Sequence, residues 1–315
     1  MALMVIGSDR AADFFTTTRQ NAPHRDIRLW PDTGAAEDIE FALAWHPPKG
    51  ELRAFPNLKA IVSVGAGVDH LFLDPGLPDV PIVRYVDPDL TGRMVEYITL
   101  HTLLHARRSL EFMDLQRASR WQYLPEPAAH QVRVGIMGLG VLGQAAARAL
   151  GVLGYELRGW SRTPKTVAGV KCFFGDAGLD EFLVETDILA VLLPLTPETR
   201  GILNRRLLQH LSVRGRHERL PGPVLINAGR GGLQVETDIL AALEAGELYA
   251  TSLDVFETEP LPQSSPLWQH PRVVITPHNA AESTDESIVA YFLRQVERVE
   301  RGAPLENVVD PEAGY

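Results

Sequence analysis

A single cysteine, Cys172, is present. No intrachain disulfide can therefore form, and no cysteine-rich zinc site can be assembled. That scarcity suits a reducing cytoplasm, which is the expected location. Long apolar runs are missing as well, since no stretch approaches the roughly 20 residues that span a bilayer, and no membrane insertion is expected. The opening Met1-Ala-Leu-Met-Val-Ile-Gly7 has an apolar stretch too short for a signal-peptide core and no basic region before it. It reads as a first strand. Basic residues are in deficit, 30 Lys and Arg against 40 Asp and Glu, for a formal charge of −10. Nucleic-acid binders usually show a basic face in this balance, so nucleic acid is not an expected partner. No fixed-period repeat and no low-complexity segment is found.

What is present is the composition of a folding chain: 45% hydrophobic and 22% charged residues over 315 positions. Length favours about two domains, each with its own core. Leu3–Ile6, Phe41–Trp45, Ala60–Val64 and Ile82–Tyr85 are short β-rich runs between helical patterns, the rhythm of a parallel α/β sheet. A helix is predicted from Thr91 to about Leu110, with Met94, Ile98 and Leu100–Leu104 on its apolar face. Glu111–Gln131 reads as an extended arm whose Trp121, Tyr123 and Leu124, if exposed, suit a partner subunit. A second β-α-β pattern follows: strands at Val132–Met137, Glu156–Trp160, Asp187–Leu193 and Val224–Asn227, with a helix over Leu142–Leu153. A last helix is predicted over Ser283–Arg301, acidic at its start and basic at its end, as a helix dipole prefers.

Chemistry begins at Gly138-Leu139-Gly140-Val141-Leu142-Gly143. Glycine turns are common, but this one follows a strand and opens a helix, the context of a dinucleotide fingerprint. The first glycine permits the turn, the second lets the backbone approach a pyrophosphate, and the third allows close helix–strand packing. About 20 residues on, where NAD enzymes place a carboxylate for the ribose hydroxyl, stands Ser161-Arg162-Thr163. Arg162 can instead pair with a 2′-phosphate. NADPH is therefore the expected cofactor, with NADH used more weakly.

Three further segments complete the pattern: Asn227-Ala228-Gly229-Arg230-Gly-Gly, Asp254-Val-Phe-Glu-Thr-Glu259-Pro260 and Thr276-Pro-His278-Asn-Ala-Ala281. With the fingerprint, in this order and spacing over nearly the whole chain, they resemble the D-isomer-specific 2-hydroxyacid dehydrogenase family. Trp45-His-Pro-Pro48, Ser161-Arg162-Thr163, Pro260–Trp268 and the Gly-Tyr ending are most similar to its glyoxylate/hydroxypyruvate reductase A branch. The resemblance implies two Rossmann-like doubly wound α/β domains, the cofactor domain (99–280) inserted into a flavodoxin-like substrate domain (1–98 and 281–315), with the active site in the cleft between them. It implies reduction of glyoxylate, hydroxypyruvate or another small 2-oxo acid. The aromatic 111–131 arm makes a homodimer the expected assembly.

Hydride delivery to a ketone carbon builds negative charge on oxygen, which needs a proton donor. His278 suits that role because imidazole titrates near neutrality. By resemblance Glu259 pairs with it, favouring the protonated ring and fixing its tautomer. Arg230 offers a planar fork for the substrate carboxylate and polarises the carbonyl. The resemblance also places Leu193, Pro194, Asn227, Ala228, Gly229 and Asp254 around the cofactor. It assigns the substrate carboxylate to the Gly65-Ala66-Gly67 turn, whose backbone N–H groups read as an anion-binding nest. Trp45 is expected to wall that pocket.

His101 and His105, four apart on one helix, lack the glutamate signature or cysteine of a metal site, and no metal is expected. Ser212–Pro223, basic and longer than the branch requires, precedes a strand and is expected away from the cofactor. Two other readings remain: a dehydrogenase for larger or phosphorylated substrates, and a dinucleotide-sensing module without turnover. The latter needs no proton donor.

Overall fold

The structure, a computed structural model, describes residues 1–7, 10–311 and 314; Tyr315 of the Gly-Tyr ending lies outside the described residues. In chain order the elements are β1 (Ala2–Gly7), α1 (Ala11–Asn21), β2 (Asp26–Leu29), β3 (Ile39–Trp45), β4 (Ala60–Ser63), α2 (Asp69–Phe72), β5 (Ile82–Val83) and α3 (Pro88–Ala106). There follow α4 (Ser109–Arg117), β6 (Arg133–Met137), α5 (Val141–Val152), β7 (Glu156–Ser161), β8 (Val170–Phe174), α6 (Gly175–Val184) and β9 (Ile188–Val191). The chain ends with α7 (Arg205–His210), β10 (Val224–Asn227), α8 (Glu236–Glu244), β11 (Ala250–Leu253), β12 (Val273–Ile275) and α9 (Asp285–Glu300).

Two compact units result, Met1–Leu90 with Glu282–Tyr315, and the inserted Thr91–Ala281. The first holds a parallel sheet of order β2-β1-β3-β4-β5, the flavodoxin-like winding. The second holds a parallel sheet of order β12-β11-β10-β9-β6-β7-β8, whose reversal of strand order lies between β9 and β6. Helices cover both faces of this second sheet. Ile188 and Ala190 of β9 and Val224 and Ile226 of β10 pack with α3 and α5, while Leu189, Val191 and Leu225 pack with α6, α7 and α8. Period-two alternation between two covered faces makes these strands apolar throughout, which is why they were visible in the sequence.

One expectation is overturned. The segment read as an extended arm from Glu111 begins as a helix, α4. Its residues are good helix formers, and the pairs Arg108–Glu111 (2.8 Å) and Asp114–Arg117 (3.1 Å) sit three apart along one face. The break from α3 falls at Arg108, which is left-handed (φ 53°). Extended chain begins only after Ser119, and there Trp121 and Tyr123 are exposed. The Ser212–Pro223 segment is irregular, and Arg133 at the start of β6 donates to the Arg214 carbonyl (2.5 Å). That fixes the segment at the amino end of the second sheet, opposite the glycine turn.

His101 and His105 do not converge on a metal-type cluster among the described residues. Both are buried and share the Ser252 hydroxyl: His101 Nδ1 and His105 Nε2 each lie 2.8 Å from Ser252 Oγ. Burial lowers both from the ordinary value of 6.5, His101 to about 4 and His105, also facing His101, to about 3. The folded chain therefore favours the neutral rings. Stability from this pair is complete above the unfolded value and is lost as pH falls below it; by pH 5 the loss is about 2 kcal/mol for each ring. Thermal unfolding from pH 7.5 to 5 should show a smaller fall in Tm for His101→Gln/His105→Gln than for the wild type. Equal falls would remove the histidines from the acid sensitivity.

Candidate active site

The three fingerprint glycines differ in what surrounds them. Gly138 is left-handed (φ 111°), and a β-carbon there would lie 2.7 Å from the Leu192 carbonyl oxygen. A β-carbon on Gly143 would come within 2.0 Å of the Gly138 carbonyl oxygen, so close packing of α5 on the turn demands glycine. At Gly140 nothing lies within 4 Å, leaving the backbone open to an incoming group. Val141 and Leu142 begin α5, whose first turn carries no acidic residue. Its N–H groups and dipole thus favour an anion. The open backbone at Gly140 and the helix N-terminus behind it fit a pyrophosphate.

Strand β7 delivers Ser161, Arg162 and Thr163 beside this turn, and Ser161 Oγ donates to the Thr163 carbonyl (2.8 Å). Arg162 is exposed. Its charge adds to Thr196 and backbone hydrogen bonding in holding Glu198 below the usual carboxylate range. Lys165, overlooked in the sequence, donates to the Leu139 carbonyl (2.8 Å) and so adds a second cation at the fingerprint. A basic residue three past Arg162 was the available signal. Opposite, Thr199 Oγ1 donates to the Pro194 carbonyl (2.8 Å), fixing the bend after Leu193.

Asn227 ends β10 fully buried. It accepts from the Gly229 N–H (3.1 Å) and donates to Gln234 Oε1 (2.8 Å) and to the Arg230 carbonyl (3.3 Å). Gln234, also overlooked, donates on to the Val255 carbonyl (2.9 Å). Ala228 and Gly229 complete the bend, where a Gly229 β-carbon would meet the Leu193 carbonyl oxygen at 2.9 Å. The bend leaves Arg230 half-buried, with Nη1 donating to the Gly229 carbonyl (2.9 Å).

His278 Nδ1 lies 2.7 Å from Glu259 Oε2, and Glu259 Oε1 accepts the Phe256 N–H at 3.0 Å. Burial pushes the Glu259 carboxyl up, but the His278 bond, the Phe256 N–H and the charges of His278 and Arg230 outweigh it and hold the group below its ordinary range. Arg230, Glu259 and His278 thus form one electrostatic cluster. With Nδ1 tied to a carboxylate, Nε2 is the ring nitrogen left to face a substrate. His278 is also left-handed (φ 54°), a backbone that costs a residue with a β-carbon about 1–2 kcal/mol. Asp254 lies under this loop: its carboxylate accepts from Thr276 Oγ1 (2.6 Å), Asn279 N (3.0 Å) and Ala280 N (3.0 Å).

In the first unit Trp45 ends β3 and packs on the turn after β4, where a Gly65 β-carbon would meet its ring at 2.7 Å. Close approach of the indole, not a left-handed backbone, explains this glycine, because neither Gly65 nor Gly67 has positive φ. The Gly65 N–H donates to Ser63 Oγ (3.3 Å), and Ala66 and Gly67 are half-buried. His46 and His70 meet Trp45 edge-on at ring separations of 4.8 and 4.7 Å. Neither histidine was given a role from the sequence, although His46 lies within the Trp45–Pro48 motif and His70 directly follows the Val64–Asp69 turn.

Comparison with known proteins decides the family. Residues 99–280 match the model described as D-isomer specific 2-hydroxyacid dehydrogenase, NAD binding domain. The chain is 41% identical over 303 residues, 94% of either chain, to glyoxylate/hydroxypyruvate reductase A of Escherichia fergusonii. The chain belongs to the D-isomer-specific 2-hydroxyacid dehydrogenase family. It is therefore an NAD(P)-dependent oxidoreductase of 2-hydroxy acids. Two solved structures are close to this dehydrogenase over 100% of its chain and 99% of theirs. The NADPH-dependent glyoxylate/hydroxypyruvate reductase of Sinorhizobium meliloti, in complex with NADP and sulfate, is 43% identical with a TM-score of 0.91. A probable 2-hydroxyacid dehydrogenase of Rhizobium etli, with NADP, HEPES and L(+)-tartaric acid, is 44% identical with a TM-score of 0.93.

Proposed function

We propose that this dehydrogenase reduces glyoxylate and hydroxypyruvate to glycolate and glycerate with NADPH. The observation that carries the reading is the His278 Nδ1–Glu259 Oε2 contact of 2.7 Å with Arg230 in the same cluster, because a proton donor is what reduction needs and mere cofactor binding does not. The relatives named above support the substrates and the cofactor. Gly138, Gly140 and Gly143 hold the pyrophosphate, and Arg162 and Lys165 take the 2′-phosphate. Bound NADPH supplies the hydride. Arg230 grips the substrate carboxylate bidentately and polarises the carbonyl oxygen. As the carbonyl carbon gains the hydride, the oxygen takes the proton from His278 Nε2, and Glu259 stabilises the imidazolium beforehand. In the Gly65-Ala66-Gly67 turn the Gly65 N–H is taken by Ser63 Oγ, so Ala66 and Gly67 provide the backbone donors to the carboxylate, and Trp45 restricts the substrate to short chains. The same reading makes the protein a cytoplasmic homodimer joined through the extended stretch after Ser119, on which Trp121 and Tyr123 stand exposed.

NADPH and NADH oxidation against a panel of 2-oxo acids tests this. Turnover of glyoxylate and hydroxypyruvate with NADPH is expected. No turnover with any 2-oxo acid would leave a dinucleotide-sensing module, and preference for long or phosphorylated acids would leave the larger-substrate dehydrogenase. Cofactor choice has its own test. A charge-assisted bond to the 2′-phosphate contributes about 1.5–3 kcal/mol, or roughly tenfold to a hundredfold in affinity. Arg162→Ala should raise KM for NADPH by about that factor and change NADH kinetics little. Equal damage with both cofactors would make Arg162 structural.

A further inference from the structure

We propose that Tyr97 is a positioning residue for the proton donor: from α3 it braces, through Thr276 and Asp254, the left-handed loop that carries His278. This rests on the reading of His278 given above. The direction of the hydrogen bonds follows from counting protons. Asp254, as a carboxylate, only accepts. The single Thr276 hydroxyl proton therefore goes to Asp254 Oδ1 (2.6 Å), and Tyr97 must donate its own proton to Thr276 Oγ1 (3.0 Å). Asp254 then holds Asn279 N and Ala280 N with its side chain and His278 N with its carbonyl (2.8 Å). Every link from the tyrosine hydroxyl to the backbone of residues 278–280 is thus a hydrogen bond, with Tyr97 and Asp254 buried.

The other end is fixed too. Tyr97, His101 and His105 are spaced four apart, so they line one face of α3. The Tyr97 and His101 rings lie 4.1 Å apart at 36°. Both histidines grip Ser252, two residues before Asp254 on β11. The histidine pair, for which the sequence implied no metal, seats the helix face from which Tyr97 reaches Thr276. A non-glycine residue stays left-handed only where its surroundings over-determine it. Here the direction of His278 Nε2 depends on that conformation, and a small misplacement of a proton donor costs rate without costing cofactor binding.

The test compares Tyr97→Phe, Thr276→Val and the double variant with the wild type, in glyoxylate reduction and in hydrogen exchange of the Asn279 and Ala280 amides. Tyr97→Phe should lower kcat about 5- to 10-fold, the equivalent of one net hydrogen bond, while KM for NADPH stays unchanged. Amide exchange at 279 and 280 should accelerate by a similar factor. Because both residues act through one chain, the double variant should be no slower than Thr276→Val alone. Thr276→Ser, which keeps the hydroxyl, should recover most of the rate lost in the valine variant. Additive losses, unchanged exchange, or a Tyr97→Phe enzyme with wild-type kcat would overturn the brace. If the wild type turns over and His278→Ala does not, such a result rejects the brace alone. If the wild type shows no turnover, the functional reading fails and amide exchange alone decides whether Tyr97 holds the loop.

Discussion

His278→Ala is expected to lower kcat for glyoxylate reduction by at least about 100-fold, the range typical of a lost general acid, while KM for NADPH changes little. Alanine removes both Nε2, the proton source, and Nδ1, the partner of Glu259 at 2.7 Å. Arg230 and the glycine turn remain, so cofactor binding and some polarisation of the carbonyl survive and a residual rate is expected. A variant with near-normal kcat would remove His278 from the chemistry. Glu259→Gln refines the point. Its carboxylate stays charged across the working range because the His278 bond and the neighbouring charges outweigh burial. The carboxylate holds His278 Nδ1 at 2.7 Å and so aims Nε2 at the substrate. Glutamine removes the charge and keeps much of the shape, so kcat for glyoxylate should fall at least about 10-fold while KM for NADPH changes little. An unchanged kcat would mean that Glu259 does not act through the histidine.

The difference between what was legible and what was not follows the range of the interactions. Strands β6, β9 and β10 were legible because a sheet covered on both faces requires nearly continuous apolar residues. Edge strands β2 and β8 carry Asp26, Arg28 and Lys171, one face being partly solvated, and did not stand out. Strand β11 hid for another reason. Its Thr251 and Ser252 look like loop residues, yet Ser252 is buried because two histidines from α3 occupy its hydroxyl. Helix α4 was missed because the prolines that follow it coloured the whole segment. The glycine turn and the segments around Arg230, Glu259 and His278 are local motifs and could be picked out one by one. Tyr97 and Thr276 could not, since they stand 179 residues apart and meet only in the folded chain. Lys165 and Gln234 share that character: each acts on the backbone of a segment whose own motif was plain.

Arg230→Lys is the harder substitution on the substrate side, and it should lower kcat/KM for glyoxylate by roughly 100-fold or more. The charge is kept, so a smaller loss would be expected if Arg230 served only to attract an anion. Two features of the site argue for more. A guanidinium offers parallel N–H donors that match a carboxylate in its plane, whereas an ammonium offers a point charge on a flexible stem. The backbone around Arg230 is also built for one geometry: Asn227 donates to its carbonyl, its own Nη1 is held by the Gly229 carbonyl, and a β-carbon at Gly231 would lie 1.7 Å from the Phe256 carbonyl oxygen. A side chain set so firmly loses little entropy on binding, and the lysine loses that advantage together with one charge-assisted bond of about 1.5–3 kcal/mol. The same cation helps hold Glu259 ionised, so lysine should also disturb the acid partner, and the loss should appear in kcat as well as in KM. Added guanidinium should restore part of the activity of an Arg230→Ala enzyme, whereas ammonium ions should restore less. If Arg230→Lys retained wild-type kcat/KM, the fork would have no part in anchoring the substrate and Arg230 would act only as a general positive charge.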